Sequence, residues 1–346
     1  MSEIVLYRKY RPSKFKEVLG QDHIIKVLEG ALKMGNVAHA YLFSGSRGTG
    51  KTSVARIMAN DLGCSVNDVH EIDAASNRGI DDIRELREAV RTLPFDSKYK
   101  IYIVDEVHML TREAFNALLK TLEEPPNHVI FILATTELQK VPETIISRCQ
   151  TFVFKKPSDN SLKSFILEIV KKEKFKLDSG SAELIAILGD GSFRDALGIL
   201  QKVISFSKDN KISSEEVTQV TGAPSTGLVN QFIESIINND LEKGFSAVKQ
   251  AGEQNIDMKL YLKLILHKMR LALLLRFSPE TRKELEKKLS QEDIEFIKNI
   301  LKGKSDKINS KTLLVLLEAY QNLYQAFIPE LPLELALVKI LNKDDS

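Results

Sequence analysis

Short apolar runs alternate with amphipathic stretches through the first half of the chain. The runs are Ala40-Tyr41-Leu42-Phe43, Val69-His70-Glu71-Ile72-Asp73, Ile101-Tyr102-Ile103-Val104, Val129 to Ala134 and Thr151-Phe152-Val153-Phe154. Each is short enough for a buried strand. Between them apolar residues recur at helical spacing. Ile24, Ile25, Val27, Leu28, Ala31 and Leu32 give one such face, and Val54, Ala55, Ile57, Met58 and Leu62 a second. Ile80, Ile83, Leu86, Val90 and Leu93 predict a third helix ending near Pro94, with Arg87 interrupting its apolar face. Phe115, Leu118, Leu119 and Leu122 predict a fourth over 111–122, which Pro125 and Pro126 stop. Pro142 opens a further helix running into Ser147-Arg148-Cys149. Strands alternating with helices imply a five-stranded parallel sheet covered on both faces.

From about Pro157 the pattern turns to helices only: 161–172, 181–188, 193–206 and 213–220. The stretch Thr221-Gly222-Ala223-Pro224-Ser225-Thr226-Gly227 reads as a linker. Beyond it, helices are predicted over 228–238, 241–250, 258–274, 291–300 and 311–327. They carry no chemical motif and read as a helical bundle for assembly. At 346 residues the chain needs more than one core. A hydrophobic content of 43% with 28% charged residues is that of an ordinary globular protein. The net charge of +2 decides nothing about nucleic acid, because a basic face can hide in a balanced total. No apolar run has the length of a membrane span, and Met1 to Pro12 lack the apolar core of a secretory signal. Cys64 and Cys149, the only cysteines, stand far apart. They exclude a disulfide scaffold and fit a reducing cytoplasm.

The chemistry is concentrated at Gly45-Ser46-Arg47-Gly48-Thr49-Gly50-Lys51-Thr52, which fits G-x-x-x-x-G-K-[ST] between a strand and a helix. Glycines let the backbone fold tightly, so that successive N–H groups face a polyphosphate at the positive end of the helix. Lys51 would reach the β- and γ-phosphates, the Thr52 hydroxyl would join the shell of a Mg²⁺ ion, and Ser53 completes the nucleotide-binding stretch. The strand ending in Asp105-Glu106 supplies a second signature. Asp105 would hold the Mg²⁺ shell, and Glu106 would polarise the attacking water as general base. Taken alone, the two carboxylates could simply end a strand; with the phosphate loop upstream they read as ATPase chemistry. Tyr7-Arg8-Lys9-Tyr10-Arg11-Pro12 would fold over the nucleotide, with Pro12, Val18 and Leu19 as apolar walls for a purine.

Several stretches together resemble the clamp-loader gamma/tau subunits of bacterial DNA polymerase III. They are Tyr7 to Pro12, His39-Ala40-Tyr41-Leu42-Phe43-Ser44-Gly45, Ile72-Asp73-Ala74-Ala75-Ser76, Asp105-Glu106-Val107-His108-Met109-Leu110, Leu119-Lys120-Thr121-Leu122-Glu123-Glu124-Pro125-Pro126 and Ser147-Arg148-Cys149. The C-terminal third is similar only in helical content and in Glu330-Leu331-Pro332-Leu333-Glu334. The resemblance implies an α/β plus all-α protein. It would comprise an AAA+ P-loop ATPase domain over 1–156, a helical lid over 157–222 and a helical collar for oligomerisation over 223–346. It implies ATP and Mg²⁺ as cofactors. Thr136 would be the sensor of the γ-phosphate, with Thr135 its neighbour. Arg148 would be an arginine finger reaching a neighbouring subunit's ATP, and Arg194 a lid sensor on the chain's own nucleotide. The alternatives are a surface ion pair for Arg148 and pairing with Asp195 or Asp190 for Arg194.

The implied partners are the delta and delta-prime subunits, further copies of the chain, the sliding clamp (beta) and primer-template DNA. Arg78-Gly79 and Thr111-Arg112, each before a predicted helix, would contact DNA phosphates; solvated arginines capping helices fit as well. One departure matters. Family members usually carry a four-cysteine zinc module after the phosphate-loop helix, whereas Leu62-Gly63-Cys64-Ser65-Val66-Asn67-Asp68-Val69 runs almost straight through. Cys64 and His70 cannot close a tetrahedral site, so no zinc is expected. The long extension of the longer family form is also not expected. The reading is an ATP-hydrolysing clamp-loader motor with no polymerase site of its own. A delta-prime-like stator that does not hydrolyse ATP, and another AAA+ role such as a replication factor C small subunit or a Holliday-junction helicase, are the alternatives.

Overall fold

The computed structural model describes residues 5–278, 291–302 and 306–342. The outermost residues of the expected first and last domains, 1–4 and 343–346, lie outside this range. The chain opens with helices α1 (Leu6–Lys9) and α2 (Asp22–Met34). It then alternates β1 (Ala40–Ser44), α3 (Lys51–Asp61), β2 (Val69–Asp73), α4 (Ile80–Val90), β3 (Lys100–Asp105), α5 (Arg112–Glu123), β4 (Val129–Thr135), α6 (Glu143–Ile146) and β5 (Gln150–Val153). The five strands form one sheet in the order β2-β3-β4-β1-β5, and every neighbouring pair is parallel. All five fall where the sequence predicts them, and the three central strands β3, β4 and β1 are buried on both faces, as a parallel sheet between two helical layers requires.

The alternation of side chains along each strand builds two cores. Tyr41, Phe43, Ile101, Ile103, Ile130 and Ile132 meet α2 and α3 on one face. Leu42, Tyr102, Val104, Phe131 and Leu133 meet α4 and α5 on the other. Helices then dominate: α7 (Asp159–Lys172), α8 (Ser179–Leu188), α9 (Phe193–Phe206), α10 (Ser214–Thr221), α11 (Thr226–Asn238), α12 (Leu241–Glu253) and α13 (Met258–Phe277). They are followed by α14 (Gln291–Lys302), α15 (Ser310–Asn322) and α16 (Leu331–Leu341).

Two compact units result. One holds the described residues through Ile166 together with Ala186–Gln201; the other holds Leu167–Ile185 and the described residues from Lys202 onward. The second unit has its own core, in which Phe232, Tyr261, Ile265, Met269, Leu316 and Leu337 are fully buried. Among the described residues no helix is long and apolar enough to cross a membrane.

Several local features differ from the sequence expectation, and helix α16 is not among the predicted helices. The expected linker shrinks to 222–225, because the Ser225 hydroxyl caps α11 by accepting from the Leu228 N–H. The second half is not purely helical, since Lys176–Leu177 and Lys211–Ile212 pair as short parallel strands. Helix α15 stops at Asn322 rather than at 327, with the Lys259 ammonium 3.9 Å from the Tyr324 ring and Phe327 wholly exposed. Helix α4 stops at Val90, which leaves Leu93 78% exposed instead of on a buried face.

Asp68 accounts for the early end of α4. Its carboxylate accepts the N–H groups of Phe95, Asp96 and Ser97 at 2.5, 2.9 and 2.9 Å, pulling the chain into a turn. The Ser65 N–H donates to Ser97 Oγ at 2.7 Å, fastening the short segment after α3 to the same turn. Burial alone would raise the Asp68 carboxyl, but those N–H groups and the Ser97 hydroxyl outweigh it and hold the pKa at about 2. Replacing Asp68 with Ala should destabilise the chain by roughly 2 kcal/mol, because three donors lose their acceptor. A folded pKa below the ordinary value means the contribution is complete above about pH 4 and disappears as pH falls through about 2. Denaturant unfolding of the native chain and of Asp68→Asn between pH 2 and pH 5 should therefore show the acid loss flattened in the variant.

Candidate nucleotide-binding site

Because β4 lies between β1 and β3, the carboxyl ends of three strands open onto one edge. Ser44 stands opposite Thr135, and Val104 opposite Leu133. The phosphate loop leaves β1 at Gly45, whose φ of 146° suits glycine, and a Cβ there would meet the Phe154 carbonyl oxygen at 2.6 Å. Gly50, at φ 102°, precedes α3, and no side chain caps that helix. The first-turn N–H groups of α3 lack intrahelical acceptors and, with the helix dipole, offer an anion site.

Lys51 is 5% exposed and its Nζ donates to the carbonyls of Gly45 at 2.7 Å and Ser46 at 3.0 Å. Burial pushes the Lys51 ammonium down from its ordinary value. Glu106 and Asp105 pull it back, and Arg194 adds repulsion. A buried cation whose hydrogen bonds go only to two loop carbonyls fits a polyanion. Thr49 closes the loop by donating its hydroxyl to Ser46 O at 2.8 Å, and Ser46 and Arg47 are exposed.

The two carboxylates have different partners. The Thr52 hydroxyl donates to Asp105 Oδ2 at 2.7 Å, which brings together two oxygen groups of the kind that hard cations take. Glu106 adopts a left-handed backbone, φ 49°, which turns it away from Asp105. The N–H and hydroxyl of Thr136 donate to Glu106 Oε2 at 3.2 and 2.9 Å, joining the proposed sensor to the proposed base. Arg11 reaches this region through Nε, which donates to Ser53 Oγ at 3.0 Å. Arg194 is exposed, with its guanidinium 5.7 Å from the Tyr7 ring. Pro12 is half-buried, Val18 lies in the core beside Phe15, and Leu19 is 42% exposed.

Arg148 makes its polar contacts elsewhere. Nη2 donates to Glu123 Oε1 at 2.7 Å, and Nη1 to the carbonyl of Thr144 at 2.8 Å. The two expected DNA-contacting pairs meet, because the Thr111 N–H donates to Arg78 O at 3.1 Å. Gly79 caps α4 and Thr111 caps α5, with the exposed guanidinium side chains of Arg78 and Arg112 beside them. Cys64 donates to Tyr99 O at 3.5 Å, and burial, reinforced by Asp68, pushes its thiol up to about 11. His70 instead stacks on Tyr102 with the ring centroids 5.0 Å apart. Sequence reasoning missed His108, Gln21, Glu123 and Ser192. Their contacts are with partners far away in the chain, which sequence spacing does not show.

A family model described as DNA polymerase III, delta subunit, matches residues 20–78 and 64–158. The DNA polymerase III subunit tau of Bacillus subtilis (strain 168) is 39% identical, covering 98% of this chain and 63% of that protein. The gamma/tau subunit of Mycoplasma pneumoniae is 40% identical over 75% of this chain and 41% of its own length. The chain thus spans about half the length of these two relatives. The DNA polymerase III subunit gamma of Buchnera aphidicola subsp. Baizongia pistaciae is 36% identical, with 77% of each chain covered. The RuvB Holliday junction branch migration motor of Thermotoga maritima superposes with a TM-score of 0.52 at 21% identity, over 66% of this chain and 79% of that one. That likeness is one of fold, the AAA+ P-loop fold.

Gly48 offers the sharpest test of the loop. It sits at φ 72°, its carbonyl accepts the Phe193 N–H at 3.2 Å, and a Cβ would lie 1.9 Å from Ser192 Oγ. Ser192 Oγ cannot simply move, because it accepts the Asp195 N–H at 3.1 Å at the start of α9. Gly48→Ala should lose roughly 2 kcal/mol of stability, from left-handed strain plus a lost cap, and weaken nucleotide binding. Adding Ser192→Gly should restore part of both, as measured by thermal melting and by titration with a fluorescent ATP analogue.

Proposed function

The chain belongs to the family of DNA polymerase III gamma and tau subunits, and from that premise we propose that it is the ATP-hydrolysing motor of a clamp loader. The observation that carries this reading is the convergence of Lys51, the Thr52–Asp105 pair and the Glu106–Thr136 pair at one edge of the sheet. The phosphate loop and the uncapped start of α3 would bind the polyphosphate, with Lys51 leaving its two carbonyls for phosphate oxygens. Thr52 and Asp105 would hold Mg²⁺, which when bound neutralises charge developing on the phosphates. Glu106 would take the proton from the attacking water, and Thr136 would hold that carboxylate in place. Tyr7, Arg11, Pro12 and Leu19 would border the nucleotide, and Arg194 would reach it from the start of α9.

Arg148 would act in trans. A guanidinium whose hydrogen bonds go to Glu123, Thr144 and Ser147, and to no phosphate-loop residue, suits a role at a neighbouring subunit's ATP. The adjoining starts of α4 and α5 support phosphate contacts to primer-template DNA, without base readout. In this reading the chain divides into an ATPase domain, a lid and a collar with the boundaries 1–156, 157–222 and 223–346. It works in the cytoplasm with delta and delta-prime subunits, other copies of itself and the sliding clamp, which it loads onto primed DNA. The match to a delta-subunit model favours one other reading, a stator that does not hydrolyse ATP. The intact Lys51, Thr52, Asp105 and Glu106 set against it favour the motor.

ATP turnover by the chain, alone and with delta, delta-prime, clamp and primed DNA, separates the two. Turnover should rise only in the full mixture and fall roughly 10³-fold in Arg148→Ala while nucleotide binding survives. Lys51→Ala should lose binding and turnover together. Turnover that ignores clamp and partners, or that survives Arg148→Ala, would remove the motor reading.

A further inference from the structure

His108 plays no part in the hydrolysis scheme above, although its side chain is 6% exposed and lies beside Glu106. It sits on the single turn Val107–Met109, entered through the left-handed backbone of Glu106. That turn returns the imidazole to the end of β4. Its Nδ1 lies 2.9 Å from Thr135 Oγ1 and 3.5 Å from Glu106 Oε2, while Nε2 lies 3.4 Å from Glu137 Oε1. The Thr135 hydroxyl oxygen also accepts the Glu137 N–H at 3.0 Å, so it is held from both sides. On Glu106 the donors fall on one atom. Oε2 receives the Thr136 N–H and hydroxyl and faces Nδ1, whereas Oε1 makes no hydrogen bond among the described residues.

We propose that His108 is a positioning residue for Glu106. With Thr135 and Thr136 it fixes Oε2, so that Oε1 is the oxygen presented to the attacking water and the one that receives its proton. The physical basis is orientation. A glutamate has rotatable side-chain bonds, and a carboxylate anchored at one oxygen retains far fewer poses from which to take a proton. The Nδ1 side of the ring carries this role, and the Nε2 side only steadies the ring against Glu137. The inference rests on the reading of Glu106 as general base, and the experiment separates the two.

Steady-state ATP hydrolysis is measured on the full chain assembled with its partner subunits, for wild type, His108→Ala, His108→Asn and His108→Gln. A fluorescent ATP analogue gives nucleotide affinity, and thermal melting gives stability. His108→Ala should lower kcat roughly tenfold or more, with KM and analogue affinity within about twofold of wild type. His108→Asn, whose amide reaches the position of Nδ1, should recover most of kcat, whereas His108→Gln, whose amide reaches the position of Nε2, should recover little. The inference is overturned if His108→Ala leaves kcat within about twofold of wild type. It is equally overturned if affinity and melting fall in step with kcat, or if Gln rescues and Asn does not. A wild-type assembly that binds no ATP or never hydrolyses it removes the motor reading, and this inference with it.

Discussion

The placement of β4 between β1 and β3 is the constraint on which the rest of the site depends. Parallel strands buried on both faces have no room for polar groups along their length, so the chemistry can stand only where the strands end. The shared register makes those ends coincide: Ser44 lies opposite Thr135, and Asp105 closes the strand on the other side of β4. The exits are also where the backbone leaves ordinary geometry. Gly45, Gly48 and Gly50 take positive φ after β1, and Glu106 does so after β3. Left-handed backbone at a residue other than glycine is unfavourable, and at Glu106 it is held by bonds on both sides of the turn.

The first twenty or so residues belong to the same construction. Gln21 is completely buried, and both ends of its amide are matched, Nε2 donating to Lys155 O and Oε1 accepting the Lys155 N–H. A buried amide is tolerable only when it is satisfied in this way. The Leu6 N–H donates to Gln201 Oε1, and Arg11 donates to Ser53. These four hydrogen bonds of long sequence separation hold the opening segment against α3, the exit of β5 and α9. Burial lowers the Arg11 guanidinium from its ordinary value, with Arg56 and Arg194 opposing and Glu71 and Asp105 favouring its charge.

The central strands were legible because two-sided burial writes an apolar run into β1, β3 and β4, and the phosphate loop because its glycines and Lys51 stand at fixed spacing. What stayed hidden depends on distant partners. Nothing near α4 announces that Asp68 will end it by taking the N–H groups of Phe95, Asp96 and Ser97. Helix α16 has the spacing Leu333, Ala336, Leu337 and Ile340 on its buried side. Leu331 and Leu335, both exposed, blur that stripe into an almost uniformly apolar stretch. The domain-level resemblance was carried by dense motifs in the first half, while the second half offers only helical periodicity. The identity over 98% of the chain to the Bacillus subtilis subunit extends well past those motifs.

The contact between Arg148 and Glu123 adds little to stability, since a half-exposed ion pair contributes at most about 1 kcal/mol. Its significance lies in disorder. A free arginine side chain keeps about 2 kcal/mol of rotamer entropy, which any ordered contact must remove. Here Glu123 and the Thr144 carbonyl have removed much of it within the folded chain. The guanidinium is therefore ordered in advance, and another acceptor would have to displace Glu123 or the Thr144 carbonyl or use the N–H groups they leave over.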